Sequence, residues 1–270
     1  MYIIAFVLLF FLGIVIGSFL NVVIYRFNTG RSVVHGRSIC MTCNHTLRWY
    51  ELIPVLSFLI QSGRCRRCAG SISHQYPLVE FVTGIVFASL GFYFLPILPY
   101  SMLSFVSALI FFCFLFSLLI VISVYDMRHK IIPDSLVYIF ALVALLSVFI
   151  GYTNAGPVIV SPLLSDFISG PLCALPFALL WLISRGKWMG LGDAKIVLGI
   201  GWMLGTQSAV AAIILSFWIG AVASLLLKLF NSRKIRMKTE IPFAPFLALG
   251  ALIGFLFNLD IYSLAALFQF

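Results

Sequence analysis

Charge is what this sequence is short of. Only 9% of its 270 residues are charged, and only 8 are acidic. A soluble domain carries about 25% charged residues, so one of this length could not cover its surface. Intrinsic disorder is excluded by the same scarcity, because 63% of the residues are apolar. Six cysteines are too few for a disulfide-held secreted scaffold. No basic residue precedes the first apolar run, and that run is too long for a cleaved secretory signal. Internal repeats and low-complexity stretches are also missing. The class left is an all-α polytopic membrane protein.

A membrane-spanning helix needs roughly 20 mostly apolar residues. The apolar runs predict about eight transmembrane helices, at residues 2–25, 77–95, 101–124, 134–152, 166–184, 191–206, 208–230 and 242–266. The sixth is short, rich in glycine and starts with charged residues. One polar insertion, 26–76, separates the first span (1–25) from the remaining core (77–270). All 17 Lys and Arg residues fall in alternate loops: 26–67, 128–130, 185–195 and 228–238. The loops near 96–100, 153–165 and 205–207 hold none, which is the positive-inside pattern. It places the insertion in the cytoplasm. It also accounts for the net charge of +9 through the inner leaflet of the lipid bilayer, with no nucleic acid partner.

The insertion carries Cys40-Met-Thr-Cys43 and Cys65-Arg-Arg-Cys68, spaced C-x2-C-x21-C-x2-C. Two intervening residues let both sulfurs of a tight turn reach one ion, and four thiolates suit tetrahedral zinc. The reducing cytoplasm argues against disulfides. Redox-active dithiols or an iron–sulfur centre are the competing readings, and His45 is an alternative fourth ligand. A structural zinc would let a segment with few core hydrophobes hold its shape. Cys113 and Cys173 lie inside spans and read as packing residues.

With eight acids, each can be weighed. Asp126 ends the third span and Asp193 begins the sixth. Two spans lie between them, so both carboxyls are expected on the same membrane face and at similar depth. Acids at a bilayer boundary are costly and tend to mark function. Two adjacent carboxyls share a proton, one serving as base toward water and the other as acid toward a carbonyl oxygen. The plainer readings are a helix-starting role for Asp193 and pairing of Asp126 with Arg128 or Lys130. Asp134, after Pro133, reads as a helix-start residue, and Glu80 as a first-turn residue of the second span. Glu51 and Glu240, in basic segments, are expected to pair there.

Several segments carry a resemblance. They are Gly17-Ser-Phe-Leu-Asn-Val-Val-Ile-Tyr-Arg26, the paired C-x2-C motifs, Ile53-Pro-Val-Leu-Ser57 and Tyr76-Pro-Leu-Val-Glu80. To these are added the D-x6-P-D stretch from Asp126 to Asp134, Gly190-x-Gly-Asp193-x-Lys195 and Pro242-Phe-Ala-Pro-Phe-Leu247. In this order, through nearly the whole chain, the sequence resembles the bacterial type IV prepilin peptidases, bifunctional leader peptidase/N-methyltransferases of the inner membrane. The resemblance implies a GxGD-type intramembrane aspartyl protease whose catalytic pair is Asp126 and Asp193. It implies that prepilins and pseudopilins are cut after a glycine on the cytoplasmic side. It implies methylation of the new N-terminus with S-adenosylmethionine, and zinc ligation by Cys40, Cys43, Cys65 and Cys68. Gly63 and Glu80 are candidates for the methyl-transfer site, beside turn formation and helix capping. Ala244 departs from the family's usual glycine, and the proline common before the first cysteine is replaced in Ser38-Ile39-Cys40. No glycine-rich cofactor loop is present, so a peptidase without methylation is the alternative. A zinc-stabilised scaffold would not need two acids at one depth, and a transporter would be expected to show an inverted repeat.

Overall fold

Helices dominate because long apolar runs satisfy their backbone groups internally, as lipid requires. The computed structural model describes residues 2–153, 155–230 and 241–266. The basic run Arg233, Lys234, Arg236 and Lys238, and Glu240, lie outside the described residues. Contacts divide the chain into two units, residues 1–93 and 94–270.

The first unit contains α1 (Tyr2–Arg26), the short α2 (Leu56–Ile60) and α3 (Gln75–Phe94). A Cβ added to Gly13 or Gly17 of α1 would come within 2.7 Å of the Thr83 carbonyl or the Glu80 Cα. The two backbones therefore approach as in small-residue membrane packing. Tyr25 stacks on Tyr76 at 4.8 Å where α1 ends and α3 begins, a position typical of interfacial aromatics. The Arg26 guanidinium donates to the carbonyls of Ser32, His35 and Arg37 and ties down the chain leaving the helix.

The second unit comprises α4 (Met102–His129), α5 (Asp134–Ser147), α6 (Leu164–Ser184), α7 (Leu191–Leu204), α8 (Thr206–Phe230), α9 (Ala244–Leu256) and α10 (Ile261–Ala266). Helix α7 packs against α5, α6, α8 and α9, and α9 also packs on α4. That burial explains how a short helix carrying Asp193 and Lys195 sits among apolar ones: protein, rather than lipid, surrounds it.

Five helices among the described residues are long and apolar enough to cross a membrane: Ile3–Arg26, Gln75–Ile97, Met102–His129, Leu164–Ser184 and Thr206–Phe230. The other three expected spans correspond to α5, α7 and α9, of 14, 14 and 13 residues. At 1.5 Å per residue each is only about 20 Å long. The expected span 134–152 ends early, because Ile150–Thr153 (β1) pairs antiparallel with Gly156–Ile159 (β2). Gly151, β-branched Ile150 and Thr153, and Pro157 all disfavour helix there, and Gly156 turns at φ +147°. The expected span 242–266 is broken into α9 and α10.

Helix α6 contains Pro171 and Pro176. Pro171 has no N–H for the Phe167 carbonyl, and the Trp202 indole of α7 donates to that carbonyl at 2.9 Å instead. Trp202→Phe should therefore lower unfolding stability by about 0.5–1.5 kcal/mol through the lost hydrogen bond, measured by denaturant titration in detergent.

Candidate active site and metal centre

The D-x6-P-D stretch folds as the end of α4, a break, and the start of α5. Lys130 caps α4 in a left-handed conformation, its N–H bonded to the Asp126 carbonyl at 2.7 Å. Pro133 then starts α5, with Asp134 in its first turn. The Gly190-Leu-Gly-Asp193 segment starts α7. A Cβ at Gly192 would lie 2.7 Å from the Cβ of Ile132, so glycine is what lets the α4–α5 connection pack onto the head of α7.

This arrangement brings the two expected acids together. Asp126 and Asp193 are 5% and 7% exposed and lie close enough for the charge of one to bear on the other. The start of α9 is a third component. The Ala244 N–H, one of the first-turn donors that a helix leaves unpaired, bonds to Asp126 Oδ2 at 3.3 Å. Ser123, one turn before Asp126, donates to the Ala244 carbonyl at 3.3 Å. Asp193 Oδ1 is buried and has no hydrogen-bond partner among the described residues. Asp134 has a different partner: Lys195 Nζ donates to its Oδ1 at 2.6 Å and lies 4.8 Å from the Tyr138 ring centre.

In the first unit, Cys40, Cys43, Cys65 and Cys68 converge, with their sulfurs all within 4.8 Å of one another. Cys40 Sγ and Cys68 Sγ are 3.9 Å apart. A tetrahedral ion with bonds of about 2.3 Å separates its sulfurs by about 3.8 Å, so the cage fits. All four cysteines are free. The backbone around the two C-x2-C motifs follows one pattern. Cys40 N–H bonds to His45 O and Cys65 N–H to Gly70 O, each at 2.9 Å; Asn44 N–H bonds to Cys40 O and Ala69 N–H to Cys65 O. Asn44 and Ala69 are both left-handed, at φ +55° and +54°, and bridges Ile39–Thr46 and Arg64–Ser71 close the two turns. Each C-x2-C is thus the same knuckle, and the expectation of no internal repeat is corrected at this level.

The thiols compete for charge. Cys40 is pushed down to about 6, mainly by the Cys43 backbone N–H, against the effect of burial. Cys68 is pushed up to about 11: the Gly70 N–H draws it down, but desolvation and the sulfurs of Cys43, Cys65 and Cys40 outweigh this. One thiolate forms readily and the next is resisted, which is how a cage behaves when a cation must neutralise it. His45 is not part of the cage; its Nδ1 lies 3.0 Å from Arg67 Nη1.

Two further candidates have clear surroundings. Gly63 sits at φ +68° in the turn after α2, with Phe58 3.1 Å from where a Cβ would stand, so turn geometry accounts for it. Glu80 is not a first-turn residue, because α3 already starts at Gln75. It is 6% exposed and accepts the Val55 N–H at 2.7 Å. Nearby, buried Asn21 donates to the Tyr76 carbonyl at 3.0 Å, while its Oδ1 has no partner among the described residues. Glu51 accepts the Arg48 backbone N–H at 2.8 Å, a local cap in place of the expected ion pair.

Residues 11–94 match the model of the bacterial peptidase A24 N-terminal domain, and residues 113–225 that of the type IV leader peptidase family. Relatives named prepilin leader peptidase/N-methyltransferase come from Bacillus subtilis, Myxococcus xanthus and Pectobacterium carotovorum. The first is 34% identical over 95% of this chain and 96% of its own. The second is 33% identical over 84% of this chain and 64% of its own, and the third 31% over 92% and 91%. The chain belongs to the type IV leader peptidase family. No solved structure matches it.

Within this leader peptidase, the departure at Ala244 falls at the contact with Asp126. Only the backbone N–H of residue 244 makes that contact, so alanine preserves it. The Pro242–Leu247 segment had no chemistry assigned from sequence. The signal for it was a proline at the second position of an apolar helix, where the missing N–H is harmless.

Proposed function

We propose that this chain is a membrane-embedded aspartyl endopeptidase that removes the basic leader of type IV prepilins or pseudopilins after a glycine and N-methylates the new N-terminus. The observation that carries the peptidase reading is the joint burial of Asp126, at the end of α4 and bonded to the head of α9, and Asp193, at the head of α7. One carboxyl takes a proton from water as it attacks the scissile carbonyl. The other protonates the carbonyl oxygen, and proton return to the departing amine completes hydrolysis. The orphan Asp193 Oδ1 is an acceptor available to that water. Lys195, engaged by Asp134, steadies the start of α7.

Zinc on Cys40, Cys43, Cys65 and Cys68 is the metal we assign, as a structural ion holding the two knuckles together. S-adenosylmethionine would supply an electrophilic methyl group. The acceptors that suit a cationic amine nearby are Glu80 and Asn21 Oδ1. The alternate basic loops support an inner-membrane protein with the insertion cytoplasmic, and likewise the ends of α4 and α6.

The test is incubation of purified protein with a synthetic prepilin and labelled S-adenosylmethionine, read by mass spectrometry. Leader loss followed by label on the new N-terminus is expected; an uncut substrate would sink the proposal, and cutting without label would leave the peptidase alone. Gly192→Ala should slow cutting at least tenfold, because its methyl group collides with Ile132. Gly190→Ala should be milder, since its Cβ meets nothing closer than 3.8 Å. Leader-removal rates of the two variants check this ranking.

A further inference from the structure

The polar insertion has an apolar side that its zinc knuckles do not use. Leu56, Leu59 and Ile60 of α2 are 50%, 65% and 61% exposed, and Trp49 just before them is 77% exposed. A five-residue helix presenting such a face to water has neither the length to persist alone nor burial to hold it. Its position resolves the difficulty. The residue before α2 is Val55, held at φ +59°, and its N–H bonds to the Glu80 carboxylate.

Glu80 lies about 7 Å inside the start of α3 by helix rise. The apolar stretch it begins, Gln75–Ile97, is 23 residues, or about 34 Å against a hydrocarbon core of about 30 Å. The bond therefore holds the entry to α2 at hydrocarbon depth, and Phe58, its ring centre 5.4 Å from that of His74, brings the helix back toward the interface. The stacked Tyr25 and Tyr76, one turn nearer the helix start, mark the interface above it. On either side the helices already offer lipid-facing side chains at this depth, Leu78 and Phe81 on α3 and Phe19 on α1.

We infer that α2 is a re-entrant element that dips its Leu56, Leu59 and Ile60 face into the cytoplasmic leaflet, anchoring the zinc-binding insertion to the bilayer. Lipid is favoured as the occupant because exposed apolar side chains of α1 and α3 lie at the depth of the Val55–Glu80 bond. The arginines of the same insertion, Arg64, Arg66 and Arg67 among them, complement anionic headgroups. The inference needs only that α1 and α3 span the bilayer, so it stands or falls independently of the peptidase reading.

Leu59→Trp and Leu56→Trp, each in the full-length protein, would be reconstituted in phosphatidylcholine/phosphatidylglycerol vesicles with ordinary or brominated acyl chains. Emission above that of the unsubstituted protein is the signal. Val34→Trp, at a position 80% exposed in the loop held by Arg26, is the comparison. The added emission at 59 or 56 should be blue-shifted and mostly lost in brominated vesicles, while that at 34 should survive. Two substitutions guard against one that fails to reconstitute. Added emission at both sites as red and as unquenched as at 34 would overturn the inference. So would a blue shift that arises only when prepilin is added, because a substrate helix would then be the occupant.

Discussion

Asp126→Asn and Asp193→Asn are each expected to lower the rate of leader removal about a thousandfold or more, at the upper part of the range for positioned acid–base groups. That is roughly 4 kcal/mol of transition-state stabilisation. The amide is nearly isosteric with the carboxyl but cannot cycle a proton. Folding should survive, since the amide oxygen introduced by Asp126→Asn can still accept the Ala244 N–H that Asp126 Oδ2 accepts now. Retained thermal stability in detergent checks that point. Asp134→Asn should cost far less. Its side chain is 64% exposed in its pair with Lys195, and exposed ion pairs contribute about 0–1 kcal/mol. Full loss of cutting in a folded Asp134→Asn protein would mean the acids are ranked wrongly.

The second large effect concerns the metal. Removing zinc with a chelator, or replacing any one of Cys40, Cys43, Cys65 and Cys68 with Ser, should make residues 40–68 open to protease within minutes, while the intact protein resists. Binding energy of a structural metal is folding energy, of order 10 kcal/mol in small zinc modules. Beyond that metal, the segment has little to hold it: in 40–68 only Cys65 is buried. Leader removal should persist in part, because Asp126 and Asp193 belong to the other unit. Metal analysis should return about one zinc per chain. Iron with sulfide, or no metal, would contradict the assignment.

Much of this was legible from residue types. The scarcity of charge revealed the membrane, the cysteine spacing the cage, and the two isolated acids the candidate pair. What was hidden depends on three-dimensional packing. Helices α5, α7 and α9 are shorter than the spans expected there, because hydropathy marks apolar composition and not where a helix ends. The first strand of the β1–β2 hairpin was absorbed into the span 134–152, since Ile150 and Tyr152 are as apolar as helix residues, while β2 fell in the loop that follows. Beyond the shared C-x2-C, the repeat of the two knuckles lies in backbone bonds and in the left-handed residues Asn44 and Ala69, which have no side-chain type in common. Glu80 looked like a helix-start residue because Pro77 suggested a later start; α3 begins at Gln75, which carries Glu80 inward to meet Val55. The contact of Ala244 with Asp126 joins residues far apart in sequence through a main-chain N–H, which no side-chain pattern records.

The central claim is that Asp126 and Asp193 act as one catalytic unit, and single-turnover rates of prepilin cleavage by Asp126→Asn, Asp193→Asn and the double variant test it most directly. Groups that work as a unit are strongly non-additive. The account predicts that the double variant is no slower than either single one, all three at the residual rate. A double variant slower by the product of the two single effects, or either single variant cutting at a substantial fraction of the normal rate, would contradict it.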